Sequence, residues 1–352
     1  MTPARARRLR AKLLEWYAAS KRDLPWRRTR DPYAIWLSEV MLQQTRVETV
    51  VPYYARFLRA YPTVHALAEA PQGDVLALWS GLGYYRRARM LHAGAQHVAR
   101  EHGGAFPSDA EGLRTIPGIG PYTAGAVASI AFGRAAPLVD GNVARVLARV
   151  FAITADVRGG AGLARVWSLA AALVPDAAPG EWNQALMELG ATVCTPRSPG
   201  CASCPVRDGC DALAQDLVAE LPRLAPKAKP KEESRVALVA TRGETVLLAR
   251  RKKDLRFGGL WEPPGALGSD ASALIALAGA TLHEVRELGR VTHVLSHRKL
   301  DVRVVAARVA KRPPEALAAA EYDARAMVEP SAFPTLGLST LARKILALAK
   351  IA

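Results

Sequence analysis

Leu113-Arg114-Thr115-Ile116-Pro117-Gly118-Ile119-Gly120-Pro121-Tyr122-Thr123-Ala124-Gly125 is the stretch on which the reading of this 352-residue chain turns. It reads as an apolar turn of helix, a Gly-x-Gly hairpin and the start of a second helix. Gly118 and Gly120 let the backbone approach a ligand closely, and the N–H groups opening the second helix can bind a phosphate. Such a contact ignores base sequence and positions nucleic acid. A tight helical turn uses Gly-x-Gly too, but Ile116-Pro117 before it and Thr123-Ala124 after it make the pattern specific.

Twenty residues on, Pro137-Leu-Val-Asp140-Gly-Asn142-Val-Ala-Arg145-Val sets an aspartate ahead of a helix. An N-cap needs such a residue, and the positive end of the helix dipole holds the carboxylate ionised. An ionised carboxylate is also what a cation-like sugar requires when a glycosidic bond breaks. Upstream, Trp36-Leu-Ser-Glu39-Val-Met-Leu-Gln43-Gln44-Thr45 places Glu39 among apolar neighbours on a helix. Composition alone favours a solvated surface group. Desolvation at such a position raises the pKa toward the operating pH and suits a general acid.

Charge agrees with a polyanionic partner: Lys+Arg number 48, Asp+Glu 32, and the net charge is +16. The excess is spread, with 25 basic against 19 acidic residues over 1–222 and 23 against 13 over 223–352. Between Lys21 and Lys227 there is no lysine, and arginine carries all the positive charge. No run of about 18 apolar residues suggests a membrane span, and no apolar segment follows the basic start to make a signal peptide. A cytoplasmic, nucleoid-associated protein that works as a monomer is expected.

Residues 1–221 read as helices, with apolar faces at Leu9, Leu13, Trp16, Tyr17, at Trp36, Leu37, Val40, Met41, and at Val143, Val146, Leu147, Val150. Residues 222–234, rich in proline and charge, read as a semi-rigid linker. From 235 the period changes. Arg235–Thr241 and Thr245–Ala249 read as strands around a Gly243 turn, Val302–Val305 as another, and 338–349 as a closing helix. A helical domain over 1–221 and an α/β domain over 235–352 are expected.

The four cysteines, Cys194, Cys201, Cys204 and Cys210, are spaced C-x6-C-x2-C-x5-C. Clustering of this kind points to a metal or cluster site. Four thiolates bind zinc or a [4Fe–4S] cluster, and spacing alone decides poorly between them.

The hairpin with its downstream aspartate resembles the signature of the helix-hairpin-helix glycosylase superfamily. The cysteine spacing matches the cluster loop of the endonuclease III and MutY glycosylases. Pro32-Tyr-Ala-Ile-Trp-Leu-Ser-Glu39-Val-Met-Leu-Gln-Gln-Thr resembles the catalytic helix of the MutY family. The resemblance implies a two-lobed helical fold with a [4Fe–4S] loop, and a monofunctional DNA glycosylase removing adenine opposite 8-oxoguanine or guanine in double-stranded DNA. Adenine leaves poorly unless a ring nitrogen is protonated; Glu39 is implied as the acid and Asp140, with Asn142, as its electrostatic or covalent partner. Relatives that also cleave the strand carry lysine where this chain has Tyr122, leaving no obvious amine nucleophile. Trp79-Ser-Gly-Leu-Gly-Tyr84-Tyr85-Arg86-Arg87-Ala-Arg89 joins aromatics to arginines. By resemblance Tyr84 is the intercalating wedge beside Arg86, Leu42, Gln43 and Gln44 reach the widowed base, and Arg22, Trp26 and Arg27 line the adenine pocket.

Gly258-Gly-Leu-Trp261-Glu-Pro-Pro-Gly265 resembles the opening of a Nudix fold. The glutamate-rich helix of a hydrolase is missing, Arg286-Glu287-Leu-Gly-Arg290 being the nearest approach, so binding rather than hydrolysis is expected. Leu295-Ser296-His297 stands where the MutY family carries Phe-Ser-His for 8-oxoguanine recognition. Ser296 and His297 carry over, and Leu295 is a departure.

Overall fold

The computed structural model describes residues 1–352 except 227, 269–274, 276, 312–320 and 352. Thr2 accepts from the Arg5 N–H to start α1 (Pro3–Ser20), which buries Ala6, Leu9, Leu13 and Tyr17 and leaves Trp16 half-buried. Asp31, accepting from Tyr33 N–H, and Pro32 start α2 (Pro32–Leu42). The apolar spacing of α2 predicts one buried face. Instead every residue from Tyr33 to Met41 is buried, because α3 (Val47–Ala60) and α8 (Pro121–Ile130) both pack on it.

Between these run α4 (Val64–Glu69), α5 (Gln72–Leu78), α6 (Arg86–His102) and the single turn α7 (Ala110–Leu113). Then follow α9 (Gly141–Val150), α10 (Gly160–Leu173), α11 (Pro179–Thr192) and α12 (Asp211–Ala214). All of α9 from Val143 onward is buried, including Arg145 and Arg149. Val143, Val146, Leu147 and Val150 form its sequence face; on the rest of the helix Arg145 and Arg149 donate to the carbonyls of Gly190, Cys194, Thr195, Pro196 and Leu221.

The described residues pack as two compact bodies, 1–68 with 93–226, and 69–92 with 227–352. Thus α5 and the first turns of α6 pack with the C-terminal sheet. The strands are β1 (Lys231–Arg242), β2 (Thr245–Arg251), β3 (Trp261–Glu262), β4 (Gly265–Leu267), β5 (Leu282–Val294), β6 (Arg298–Val309) and β7 (Tyr322–Val328). They form one sheet in the order β3-β2-β1-β6-β5, with β4 on β1 and β7 on β2. β1 begins at Lys231, inside the stretch read as linker, and runs parallel to β6 over Lys231–Thr241. Residues 235–240 of β1 are buried on both faces, as a near-continuous apolar run requires. Ala237 and Val239 join the core under α13 (Thr340–Leu348), and Val236, Leu238 and Ala240 join the core of the other face. The Arg286–Arg290 segment lies in strand β5, so it presents no helical row of glutamates. β5 carries two irregularities against β6, near Glu284 (φ 50°) and Gly289 (φ 130°).

In the helical body α11 approaches α9 so closely that a Cβ on Gly190 would lie 2.6 Å from the Asn142 Cβ. Gly190→Ala must push the helices apart. It is expected to cost about 1–3 kcal/mol of stability, measured by denaturant unfolding of the helical signal.

Candidate active site

The enclosure of α2 leaves Glu39 only 4% exposed. Burial pushes its carboxyl from the ordinary 4.5 up to about 7, opposed by a hydrogen bond from Tyr122, reinforced by nearby Asp140 and opposed by Arg27. Tyr122, on the first turn of α8, donates its hydroxyl to Glu39 Oε2 and lies 3.4 Å from Met187 Sδ. Burial, with both carboxyls nearby, holds that phenol protonated far above its usual range.

Asp140 caps α9. Its Oδ1 accepts from Val143 N–H at 2.7 Å and its Oδ2 from Asn142 Nδ2 at 3.0 Å. The sequence predicts that the helix start keeps this group at a low pKa. Burial outweighs it: the carboxyl titrates above the usual aspartate value, although Val143, Asn142 and Arg145 pull it down. Asn142 Oδ1 in turn accepts from Arg145 Nη2 at 2.8 Å, and the same guanidinium donates to the carbonyls of Gly190 at 2.7 Å and Cys194 at 2.8 Å.

The segment 22–27 behaves as one unit with Glu188 of α11, a residue the sequence reading missed. Arg22 grips Glu188 with Nε and Nη2, each at 2.8 Å, and Arg27 Nη2 adds a bond at 2.7 Å. Burial favours the neutral acid, but the two arginines hold Glu188 down at about 2. Arg27 also stacks over Tyr17 at 5.4 Å, and Trp26 packs edge-on against Tyr54 at 5.5 Å. A charged residue in the short apolar run Ala185–Leu189 was the available signal, of the kind that marked Glu39.

Gly118, at φ 85°, makes the hairpin turn, and Gly120 caps α8 with no side-chain bond to the first-turn amides. Those amides are open to an anion. Gln43 ends α2, its Nε2 3.4 Å from Thr123 Oγ1; Leu42 is half-buried, and Gln44 is exposed at φ 58°. Glu39, Asp140, Tyr122, Asn142, Arg22, Trp26, Arg27, Gln43 and the hairpin therefore share one body. Tyr84, Arg86, Ser296 and His297 belong to the other. Tyr84 is 49% exposed and Arg86 is exposed too. Ser296 and His297 are exposed at the β5–β6 turn, while Leu295 is half-buried against the C-terminal core.

All four cysteines line one cavity with Val146, Arg149 and Leu189. Arg149 Nη1 lies 3.4 Å from Cys194 Sγ, and this guanidinium donates to the carbonyls of Thr195 (2.7 Å), Pro196 (3.2 Å) and Leu221 (2.9 Å). Burial pushes the Cys204 thiol up to about 11. Among the described residues no group of three or more His, Cys, Asp or Glu is arranged for a metal ion. Four cysteines around one cavity supply the donor set of a thiolate-ligated metal or cluster.

Residues 37–160 match the HhH-GPD superfamily of base excision DNA repair proteins, and 235–348 match the NUDIX domain. The chain is 42% identical to an adenine DNA glycosylase of Homo sapiens, over 84% of this chain and 66% of that protein. It is 41% identical to that of Rattus norvegicus, over 84% of this chain and 69% of that one. The chain belongs to the adenine DNA glycosylases. It spans about two thirds of the length of these two family members. A thermostable thymine-DNA glycosylase structure is 30% identical with a TM-score of 0.55, covering 60% of this chain and 98% of its own. A trapped endonuclease III–DNA intermediate, 23% identical with a TM-score of 0.53 over 62% and 99% of the two chains, shares the helical fold. No helix among the described residues is long and apolar enough to cross a membrane.

A carboxyl raised from 4.5 to about 7 is a stability term. Its raised folded pKa favours the folded protein at acid pH, and that advantage disappears as pH climbs through 4.5 to 7. Above pH 7 the buried anion is a net cost, at most about 3 kcal/mol. Glu39→Gln is therefore expected to match the wild-type melting temperature at pH 4.5 and exceed it at pH 8.5.

Proposed function

We propose that this chain is a monofunctional glycosylase that removes adenine paired with 8-oxoguanine or guanine in double-stranded DNA. The observation that carries the reading is Glu39: a buried acid titrating near neutrality, bonded to Tyr122 and close to Asp140. Near pH 7 a large share of Glu39 holds the proton that adenine needs. Glu39 gives it to a ring nitrogen of the extruded base as the bond to C1′ breaks, the bonding electrons leaving with adenine. Asp140 faces the sugar cation; burial leaves its charge poorly solvated, so the cation gains more from it. Water then forms the C1′–O bond and releases a proton to the carboxylate pair. No lysine replaces Tyr122, and none lies between Lys21 and Lys227, so no Schiff base leads on to strand cleavage. Arg22, Trp26 and Arg27 with Glu188 form the wall that receives adenine.

The reading extends to the other residues by resemblance and placement. The α8 amides at Gly118–Gly120 take a phosphate, Tyr84 fills the space of the extruded base with Arg86 on the backbone, and Leu42, Gln43 and Gln44 approach the estranged partner. Ser296 and His297, at the turn tip, read the oxidised base, and Leu295 roots that turn in the core. Cys194, Cys201, Cys204 and Cys210 hold a [4Fe–4S] cluster, which ties the loop in place; no chemical step runs through it. The protein works on the chromosome as a cytoplasmic monomer.

In single-turnover assays on duplexes with A opposite 8-oxoguanine, A opposite G and T opposite G, the adenine strand should break only after hot alkali. Breaks without alkali, or cutting confined to T·G, would overturn the reading. The rate should fall as pH rises above about 7, approaching tenfold per unit, and Glu39→Gln should bind the duplex without releasing adenine. Purified protein should carry iron and sulfide near four each per chain for a [4Fe–4S] cluster; Cys201→Ser should lose both, along with DNA binding. Zinc in their place would refute the cluster.

A further inference from the structure

The turn that carries Tyr84 is hung on the C-terminal sheet body, through side chains that no part of the reaction above uses. Tyr85 is buried, and its hydroxyl donates to the Leu338 carbonyl at 2.8 Å. Ser80 Oγ donates to that same carbonyl at 2.9 Å and accepts from Arg343 Nη2 at 3.0 Å. The Tyr85 oxygen also accepts from Gly81 N–H at 3.2 Å, closing a ring between turn and sheet. Arg89 Nη1 donates to the Gly258 carbonyl at 2.7 Å. Within the turn, the Gly83 carbonyl takes bonds from Trp79 Nε1 at 3.1 Å and Arg87 Nη2 at 3.3 Å. The Arg87 guanidinium lies over the rings of Trp79 and Tyr84 at 5.4 and 5.3 Å. Tyr84 itself sits at φ 49°, a left-handed conformation that a bulky residue keeps only where its surroundings impose it.

The anchor is firm because Leu338 is. Its side chain is fully buried in the core beneath α13, it bridges to Trp261 of β3, and Gly337 beside it accepts from Trp261 N–H at 2.9 Å. Leu295, at the root of the β5–β6 turn, packs against that same core. The wedge turn and the turn bearing Ser296 and His297 therefore share one support.

We propose that Ser80 and Tyr85 are positioning residues which couple Tyr84 to the C-terminal body, so that reading the base opposite adenine and inserting the wedge are acts of one rigid unit. The proposal rests on the reading of Tyr84 as wedge and of the β5–β6 turn as reader. A hydroxyl removed from Tyr85 or Ser80 leaves Glu39, Asp140 and the adenine wall untouched but lets the turn move apart from the sheet.

The test uses the full chain and the variants Tyr85→Phe and Ser80→Ala, alone and together. Hydrogen exchange on free protein is expected to quicken about tenfold or more over 81–87 in the double variant, as loss of the four bonds made by these two hydroxyls allows, with 32–42 unchanged. Single-turnover adenine release is expected to fall about tenfold opposite 8-oxoguanine and by less opposite guanine, so that the ratio between the two narrows. A 2-aminopurine beside the target base should report slower extrusion by the same factor. Unchanged exchange over 81–87 overturns the tether, and an equal fall on both duplexes overturns the coupling. A double variant that does not fold leaves Tyr85→Phe, which keeps the Ser80 bond, to give the same two readings. Should the wild type release no adenine, the assigned reaction fails, and exchange still decides the tether.

Discussion

Removing Glu39 from water while leaving it a hydroxyl donor is the constraint around which the helical body is arranged. A carboxyl in that position must be enclosed on all sides, and α2 is, with no exposed face between Tyr33 and Met41. It must also be shielded from cations that would draw it back to an ordinary pKa. Arg27 is near enough to lower it, but Arg27 gives its charge to Glu188 at 2.7 Å. In the Arg22–Arg27–Glu188 cluster both cations are thus drawn onto one carboxylate. Two buried carboxyls that both feel Arg27 have been given opposite surroundings, Glu188 with two guanidiniums and Glu39 with a phenol. Divergent environments of this kind are how one fold keeps an acid and an anion side by side at neutral pH.

The features that announced themselves in the sequence are those whose chemistry is local. A Gly-x-Gly turn, an aspartate before a helix, four clustered cysteines and a glutamate in an apolar run each carry their reason within a few residues. The strands around Gly243 and the closing helix are of the same kind, since periodicity is a local property. What could not be read are pairings made across the chain. Arg145 and Arg149 look like ordinary solvated helix charges until the loop after Cys194 supplies carbonyls to them. Glu188 looks like a surface acid until Arg22 and Arg27, over 160 residues earlier, fold onto it. Residues 69–92 read as part of a helical run, yet Tyr85 finds its acceptor 253 residues away at Leu338. Leu295 reads as a substitution at a recognition site, whereas its packing against the sheet core gives it a structural partner.

The arginine-only stretch between Lys21 and Lys227 also acquires a structural sense. Arg145 and Arg149 each make several bonds to backbone carbonyls in fixed directions, and Arg22 binds Glu188 through two nitrogens. A planar fork of donors does this; an ammonium on a flexible stem does not. Charges so deeply placed must also remain ionised, which a guanidinium does and a buried amine does not.

The outer strand of the sheet, β5, has a consequence for the protein in a crowded cell. Thirteen residues long, it ends the strand order and carries exposed Val285 and Val294, which would make a straight strand a template for another chain. The irregularities beside Glu284 and Gly289 break its pairing row into short pieces and kink it. A second molecule can match one piece at a time but cannot zip along the whole, so these kinks, together with Glu284, Arg286, Glu287 and Arg290 on the strand, disfavour fibre growth from this edge.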